Sequence, residues 1–168
     1  CLLQFRPMAS KLKVGVLGAT GMVGQRFVAL LAEHPWFEVS AVAASAGSAG
    51  KAYADAVAGR WTLPTPVPPA IATRTVGNAS DVSRIAEQVD FVFCAVDMPK
   101  DATAALEEAY ARAETPVVSN ASAHRWTPDV PMTIPEINAD HVEVIAAQLR
   151  RLGTRHGFVT VKPNCSIQ

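Results

Sequence analysis

The chain has 168 residues, 49% apolar and 18% charged, enough to bury one core of ordinary domain size and unlike a disordered segment. Fifteen basic and fifteen acidic residues cancel, which argues against nucleic acid as a partner. Cys1, Cys94 and Cys165 are odd in number and too far apart for a zinc site or a disulfide framework. They fit a reducing, cytoplasmic setting, and no apolar run reaches the roughly 20 residues of a membrane-spanning helix.

Residues 1–10 precede the first regular pattern, with Met8 reading as the natural start, so the fold is expected over 11–168. Leu12 to Leu17 is a short apolar run that ends in glycines, as a buried parallel strand does. From Met22, the positions Val23, Phe27, Leu30 and Leu31 recur at helical spacing until His34 and Pro35. A second strand is expected at Val39–Ala43, then a small-residue loop from Ser45 to Lys51. Four prolines between Lys51 and Ala70 point to an irregular surface excursion.

Ile71–Val76 is a strand candidate, Ser80 is placed to cap a helix through Gln88, and Asp90–Ala95 is the clearest strand of the chain. A helix follows whose apolar stripe reads Ala102, Ala105, Leu106, Ala109 and Ala113, ending near Thr115 and Pro116. Val117 begins another strand. Asn138 is placed to cap a helix with Val142, Ile145, Ala146, Leu149 and Leu152 inward, stopped by Gly153 before a last strand at Phe158–Val161. This alternation is the pattern of an α/β, Rossmann-like, doubly wound and mostly parallel sheet, whose ligands collect at the carboxyl ends of its strands.

Gly18-Ala-Thr-Gly21-Met-Val-Gly24 falls between the first strand and the first helix, where a dinucleotide site requires it. Gly18 permits the tight turn, Gly21 a close approach to a pyrophosphate, and Gly24 the packing of helix on strand. Free amides at the helix start face the negative charge, and Thr20 adds a hydroxyl. The end of the second strand reads Ala43-Ala44-Ser45, without the acid that holds ribose hydroxyls in NAD sites. Ser45, Ser48 and Lys51 offer partners to a 2′-phosphate instead, so NADP is the expected cofactor.

Cys165, in Lys162-Pro-Asn-Cys-Ser166, follows the last strand and is the candidate nucleophile. Cys94, inside an apolar strand, reads as a small core residue. No histidine pair shows metal-ligand spacing, and each of His34, His124, His141 and His156 reads more readily as a surface residue than as a base. Arg125, after the strand at Val117, sits on the expected ligand edge, where a guanidinium clamps a phosphate or carboxylate or else makes a surface salt bridge.

Taken together, GATGMVG, the SAGSAGK loop, VVSNASAHR, MTIPEIN and KPNCS, in this order from about Lys11 to Cys165, resemble aspartate-semialdehyde dehydrogenase, its archaeal and fungal branch in particular. The resemblance implies NADPH-dependent reduction of L-aspartyl 4-phosphate to the semialdehyde through a cysteine thioester, with Cys165 as nucleophile. It also implies Thr20, Gly21, Met22 and Val23 at the cofactor phosphates, and Ser45 and Ser48 at the 2′-phosphate. Arg125 and Asn120 would lie at the substrate phosphate, an acyl-phosphate small molecule, with Asn164 supporting the cysteine loop.

The family usually has an arginine between the two loop serines, where this chain has Gly47. Its catalytic histidine, second substrate arginine and dimer-forming domain are expected beyond residue 168, so that the intact protein is a homo-oligomer and this piece lacks turnover alone. Where the family often reads CST-I-Q, this chain reads Cys165-Ser-Ile-Gln168. Acetylglutamyl-phosphate reductase and malonyl-CoA reductase are related alternatives, and a nucleotide-binding module without catalysis is the alternative from another class.

Overall fold

The computed structural model describes residues 10–167, so the extension expected at 1–10 lies, Ser10 apart, outside the described residues. Six strands form one sheet: β1 (Leu12–Leu17), β2 (Phe37–Ala44), β3 (Gly77–Asn78), β4 (Phe91–Cys94), β5 (Val117–Ser119) and β6 (Val159–Val161). Their spatial order is β3-β2-β1-β4-β5-β6, and every neighbouring pair is parallel. This is the doubly wound order that places a ligand crevice where the winding reverses, between β1 and β4. The sheet read from the sequence is therefore present, and β1 has the bounds expected of it.

Strand alternation sends successive side chains to opposite faces, and the chain fills both. Val14 and Val16 join Val28, Leu31, Val42, Tyr53, Val57, Ile71 and Val76 on one side. Leu17 joins Cys94, Ile85, Leu106, Tyr110, Val117, Leu152 and Val159 on the other. The first core is covered by α1 (Met22–Leu31), α2 (Tyr53–Ala56) and α3 (Pro69–Ala72). The second is covered by α4 (Val82–Ala86), α5 (Lys100–Arg112) and α7 (Ile145–Leu152). Between β5 and α7 lie α6 (Pro135–Asn138) and a 3-10 turn at Ala139–Val144.

Several sequence expectations need correction. The stretch from Lys51 to Ala70 is not merely a surface excursion: Tyr53, Ala56 and Val57 are buried, and their burial forms α2 despite the prolines that follow. Ile71–Val76 is not a strand. Pro69 opens a helical turn through Ala72, where its fixed φ suits the first position, and only Gly77–Asn78 pairs with the sheet. Asp81, not Ser80, precedes α4, and it makes no side-chain cap.

On α5 the buried face is Thr103, Leu106, Glu107, Tyr110 and Ala111, whereas Ala105 and Ala113 of the expected stripe are exposed. Asn138 caps no following helix. Its carboxamide turns back, accepting from the Ile134 amide at 2.7 Å and donating to the Met132 carbonyl at 3.0 Å. On α7 it is Gln148 and Leu152 that are buried, while Ala146 is exposed and Val142 lies outside the helix in the 3-10 turn. Gly153, at φ 71°, ends that helix as its sequence position suggests.

Glu114 follows α5 in the left-handed region, at φ 57°. Its carboxylate accepts from the backbone amides of Arg155, His156 and Gly157, which ties the end of α5 to the entrance of β6. The amides of His156 and Arg155, first among the causes, hold this carboxyl below its ordinary pKa. Among the described residues, no helix is long and apolar enough to cross a membrane.

Candidate active site along the carboxyl edge of the sheet

Because all six strands run the same way, the turns after β1, β2, β4, β5 and β6 share one edge. The turn after β1 is built on glycine for steric reasons. Gly18 is at φ 76°, and a Cβ there would run into the backbone of Ala95 and Val96. A Cβ on Gly24 would run into the Gly18 carbonyl, so α1 leaves the turn at a distance only glycine permits. Gly21 meets only the Gly18 carbonyl, at 3.4 Å, leaving its outer side open to a ligand. It enters α1 extended, with no side-chain cap on the helix, and Met22 and Val23 are exposed in the first turn.

Gln25 was not singled out by the sequence, yet it organises this turn. Only 1% exposed, its Nε2 donates to the carbonyls of Thr20, at 3.0 Å, and Arg60, at 2.9 Å. Its Oε1 accepts from the amide and hydroxyl of Thr62 at 2.9 and 3.1 Å. The Tyr53 hydroxyl, also buried, donates to the Ala19 carbonyl at 2.9 Å. The glycine turn is therefore held from behind by two side-chain links to the segment that follows Lys51.

Three hollows follow one another along the edge. The central one, about 420 Å³, is lined by Gly18, Thr20 and Gly21, by Ser45 and Ala46 after β2, and by Val96 to Met98 after β4. Ser45 also lines a second hollow with Gly47, Ser48, Lys51, Asp55 and Arg60. On the other side, Val96 to Met98 are shared with a third hollow that reaches Ala121, Ser122 and Ala123 after β5. Of the expected cofactor residues, Gly18, Thr20, Gly21 and Ser45 thus line the central hollow, and Ser45 and Ser48 line the one next to it. Met22 and Val23 stand beside the central hollow, and Gly24 is buried beneath it.

Asn120, Arg125 and Cys165 lie further along the same edge and line none of these three hollows. β5 and β6 pair with Ser119 opposite Val161, so the loops carrying Asn120 and Cys165 leave from neighbouring strands. The Asn120 amide donates to the Cys94 carbonyl at 2.8 Å, and Arg125 reaches back to the Asn120 carbonyl with Nη2 at 3.4 Å. No salt bridge of Arg125 is present among the described residues, and its Nε is buried without a partner. Cys165 is exposed in a 3-10 turn, its thiol at 3.5 Å from the Asn164 Oδ1, which also accepts from the amide and hydroxyl of Ser166 at 2.9 Å each.

Beneath the loop after β5 lies a polar cluster that sequence reasoning missed. Glu107, fully buried, accepts from the Ser119 hydroxyl at 2.5 Å, and that oxygen in turn accepts from the Ala121 amide at 2.9 Å. His124 is 4% exposed, correcting its reading as a surface residue, with Nε2 at 3.9 Å from Glu107 Oε2 and Nδ1 at 3.1 Å from the Thr127 hydroxyl. Burial pushes the Glu107 carboxyl up, against the bonds from Ser119 and Cys94 and the nearby His124. Cys94 is a core residue as expected. Burial, and then Glu107, push its thiol far up, which leaves it inert.

The model of the family described as semialdehyde dehydrogenase, NAD binding domain, matches residues 13–145. The chain is similar to aspartate-semialdehyde dehydrogenase of Methanothermobacter thermautotrophicus, 44% identical over 153 residues, covering 91% of this chain and 42% of the relative. The enzyme of the same name from Cryptococcus neoformans is 40% identical over 156 residues, covering 93% of this chain and again 42% of the relative. A crystal structure of aspartate semialdehyde dehydrogenase with NADP from Candida albicans superposes with a TM-score of 0.81 at 37% identity, over 94% of this chain and 44% of that one. The chain thus spans about two fifths of the length of the curated relatives it matches. With its strand order, its glycine turn and a family match over most of its length, the chain belongs to the semialdehyde dehydrogenase NAD-binding domain family.

Proposed function

We propose that residues 11–168 are the NADP-binding part of an aspartate-semialdehyde dehydrogenase, a homo-oligomeric cytoplasmic enzyme that reduces L-aspartyl 4-phosphate to L-aspartate 4-semialdehyde. The observation that carries this reading is the exposed Cys165 thiol on the same edge of a parallel sheet as the glycine turn. Three strand spacings separate β1 from β6, about 14 Å, a distance that an extended dinucleotide lying along the edge can bridge. The relatives from Methanothermobacter and Cryptococcus support the choice of substrate, and the Candida enzyme, crystallised with NADP, supports the choice of cofactor.

The residues divide the work by position. Gly18, Thr20 and Gly21, with the first-turn amides of Met22 and Val23, receive the cofactor phosphates above the buried Gly24. Ser45 and Ser48 take the 2′-phosphate just past β2, which ends in Ala43 and Ala44 with no acid at the ribose position. Arg125, whose buried Nε has no partner, and Asn120 receive the substrate phosphate. Cys165, as thiolate, attacks the acyl carbon; the carbon–oxygen bond to phosphate breaks, and inorganic phosphate leaves with the electron pair. NADPH, when bound, supplies the hydride that reduces the thioester, and the Cys165 sulfur departs.

The acylation half of this sequence is open to direct measurement. Incubated with L-aspartyl 4-phosphate, the chain is expected to gain one hydroxylamine-sensitive acyl group at Cys165 by mass spectrometry, with one equivalent of phosphate released and no turnover. Cys165→Ser abolishes the adduct, and Arg125→Ala slows its formation by about tenfold or more, the worth of a charge-assisted hydrogen bond. Phosphate release above the spontaneous hydrolysis of the acyl phosphate that persists in Cys165→Ser would overturn the assignment.

A further inference from the structure

The stretch after Lys51, which the sequence leaves without a role, is fastened to the glycine turn at two points. Tyr53 holds the Ala19 carbonyl, and Gln25 holds the carbonyls of Thr20 and Arg60 together through one nitrogen. This brings Arg60 to the hollow lined by Ser45, Gly47, Ser48 and Lys51, even though it lies 12 residues or more from each serine in sequence. Arg60 is an exposed residue of that lining, one Nη donating to the Ala56 carbonyl, and it makes no ion pair among the described residues. Asp55 is the single carboxylate of the lining, against the two cations Lys51 and Arg60.

We propose that Arg60 is the specificity-determining residue of this hollow, supplying from the far side of the Ser45–Lys51 loop the guanidinium that grips the 2′-phosphate of NADP. The inference rests on the cofactor reading given above. Four observations converge on it: β2 ends in Ala43 and Ala44 without an acid, Ser45 links the hollow to the central one over the glycine turn, two hydroxyls and two cations line it, and the Arg60 backbone is locked to that turn. A dianion gains more from a planar guanidinium with paired donors than from a single ammonium, so Arg60 outweighs Lys51. Position 47 is empty: a Cβ built on Gly47 has nothing within 4 Å, so the loop itself sends no cation into the hollow from there.

The test is titration calorimetry of the purified 168-residue chain with NADP and with NAD. The chain is expected to bind NADP more tightly than NAD. Arg60→Gln keeps a donor for the Ala56 carbonyl but loses the charge; it is expected to raise the NADP Kd about tenfold or more while moving the NAD Kd less than about twofold. Because Gly47 opens into free space, adding Gly47→Arg to Arg60→Gln is expected to restore most of the preference. Loss of affinity for both dinucleotides alike would assign Arg60 a merely structural role and overturn the proposal. An unchanged preference in Arg60→Gln would overturn it while leaving NADP as the cofactor. Equal binding of NAD and NADP by the unaltered chain would overturn both readings together.

Discussion

Single residues at this site do two different kinds of work, steric and electrostatic. Gly18 and Gly24 are needed for what they lack, since any side chain there meets backbone. Glu107 is needed for what it brings into a dry interior. Its raised pKa means that the folded chain keeps a proton at a pH where the unfolded chain has released it. That contribution to stability is therefore complete below the unfolded glutamate value of about 4.3 and declines as pH rises toward the folded value. Glu107→Gln, which mimics the protonated acid and can still accept from Ser119, is expected to raise the Tm at pH 8 by a few degrees, with the gain shrinking toward pH 4. Calorimetry across that range checks this; a variant less stable than the parent at pH 8 would show that the carboxylate is ionised and required.

Between elements, the most consequential contact is an amide that joins three of them. Gln25 on α1 satisfies the glycine turn and the Arg60–Thr62 segment with four hydrogen bonds in a buried place. Gln25→Ala leaves two carbonyls and an amide without partners and is expected to cost about 2–3 kcal/mol in urea unfolding, with weaker NADP binding. Little of this was legible beforehand. A strand such as Leu12–Leu17 announces itself because burial on both faces demands unbroken apolar residues, and that demand is local. Gln25, Glu107 and Gln148 break the rule that apolar residues mark the inner face of a helix. Their partners lie on other elements, and apolar periodicity cannot see a polar group that is satisfied from far away in sequence. For the same reason the stripe chosen on α5 was rotated away from the one the fold buries.

At the scale of the molecule, the alternation of strands and helices fixed the architecture, and the architecture in turn put the glycine turn and the loops that carry Ser45, Asn120 and Cys165 on one edge. The glycine turn and Cys165 could be placed on that edge from the sequence because both come in the loops after strands of a parallel sheet. Arg60 could not be placed beside the Ser45–Lys51 loop in that way, because only the docking of the stretch after Lys51 brings it to the hollow that loop lines. Tyr53 and Gln25 couple that docking to the glycine turn: any free energy a dinucleotide spends in ordering residues 51–62 is subtracted from its affinity, and by the same linkage a stretch already ordered strengthens binding. Deuterium uptake should therefore slow on NADP addition at the amides of Val57 and Thr62, far more than at those of β5 and β6. An enzymologist tuning this chain toward another coenzyme would do well to alter the strap as well as the pocket it borders.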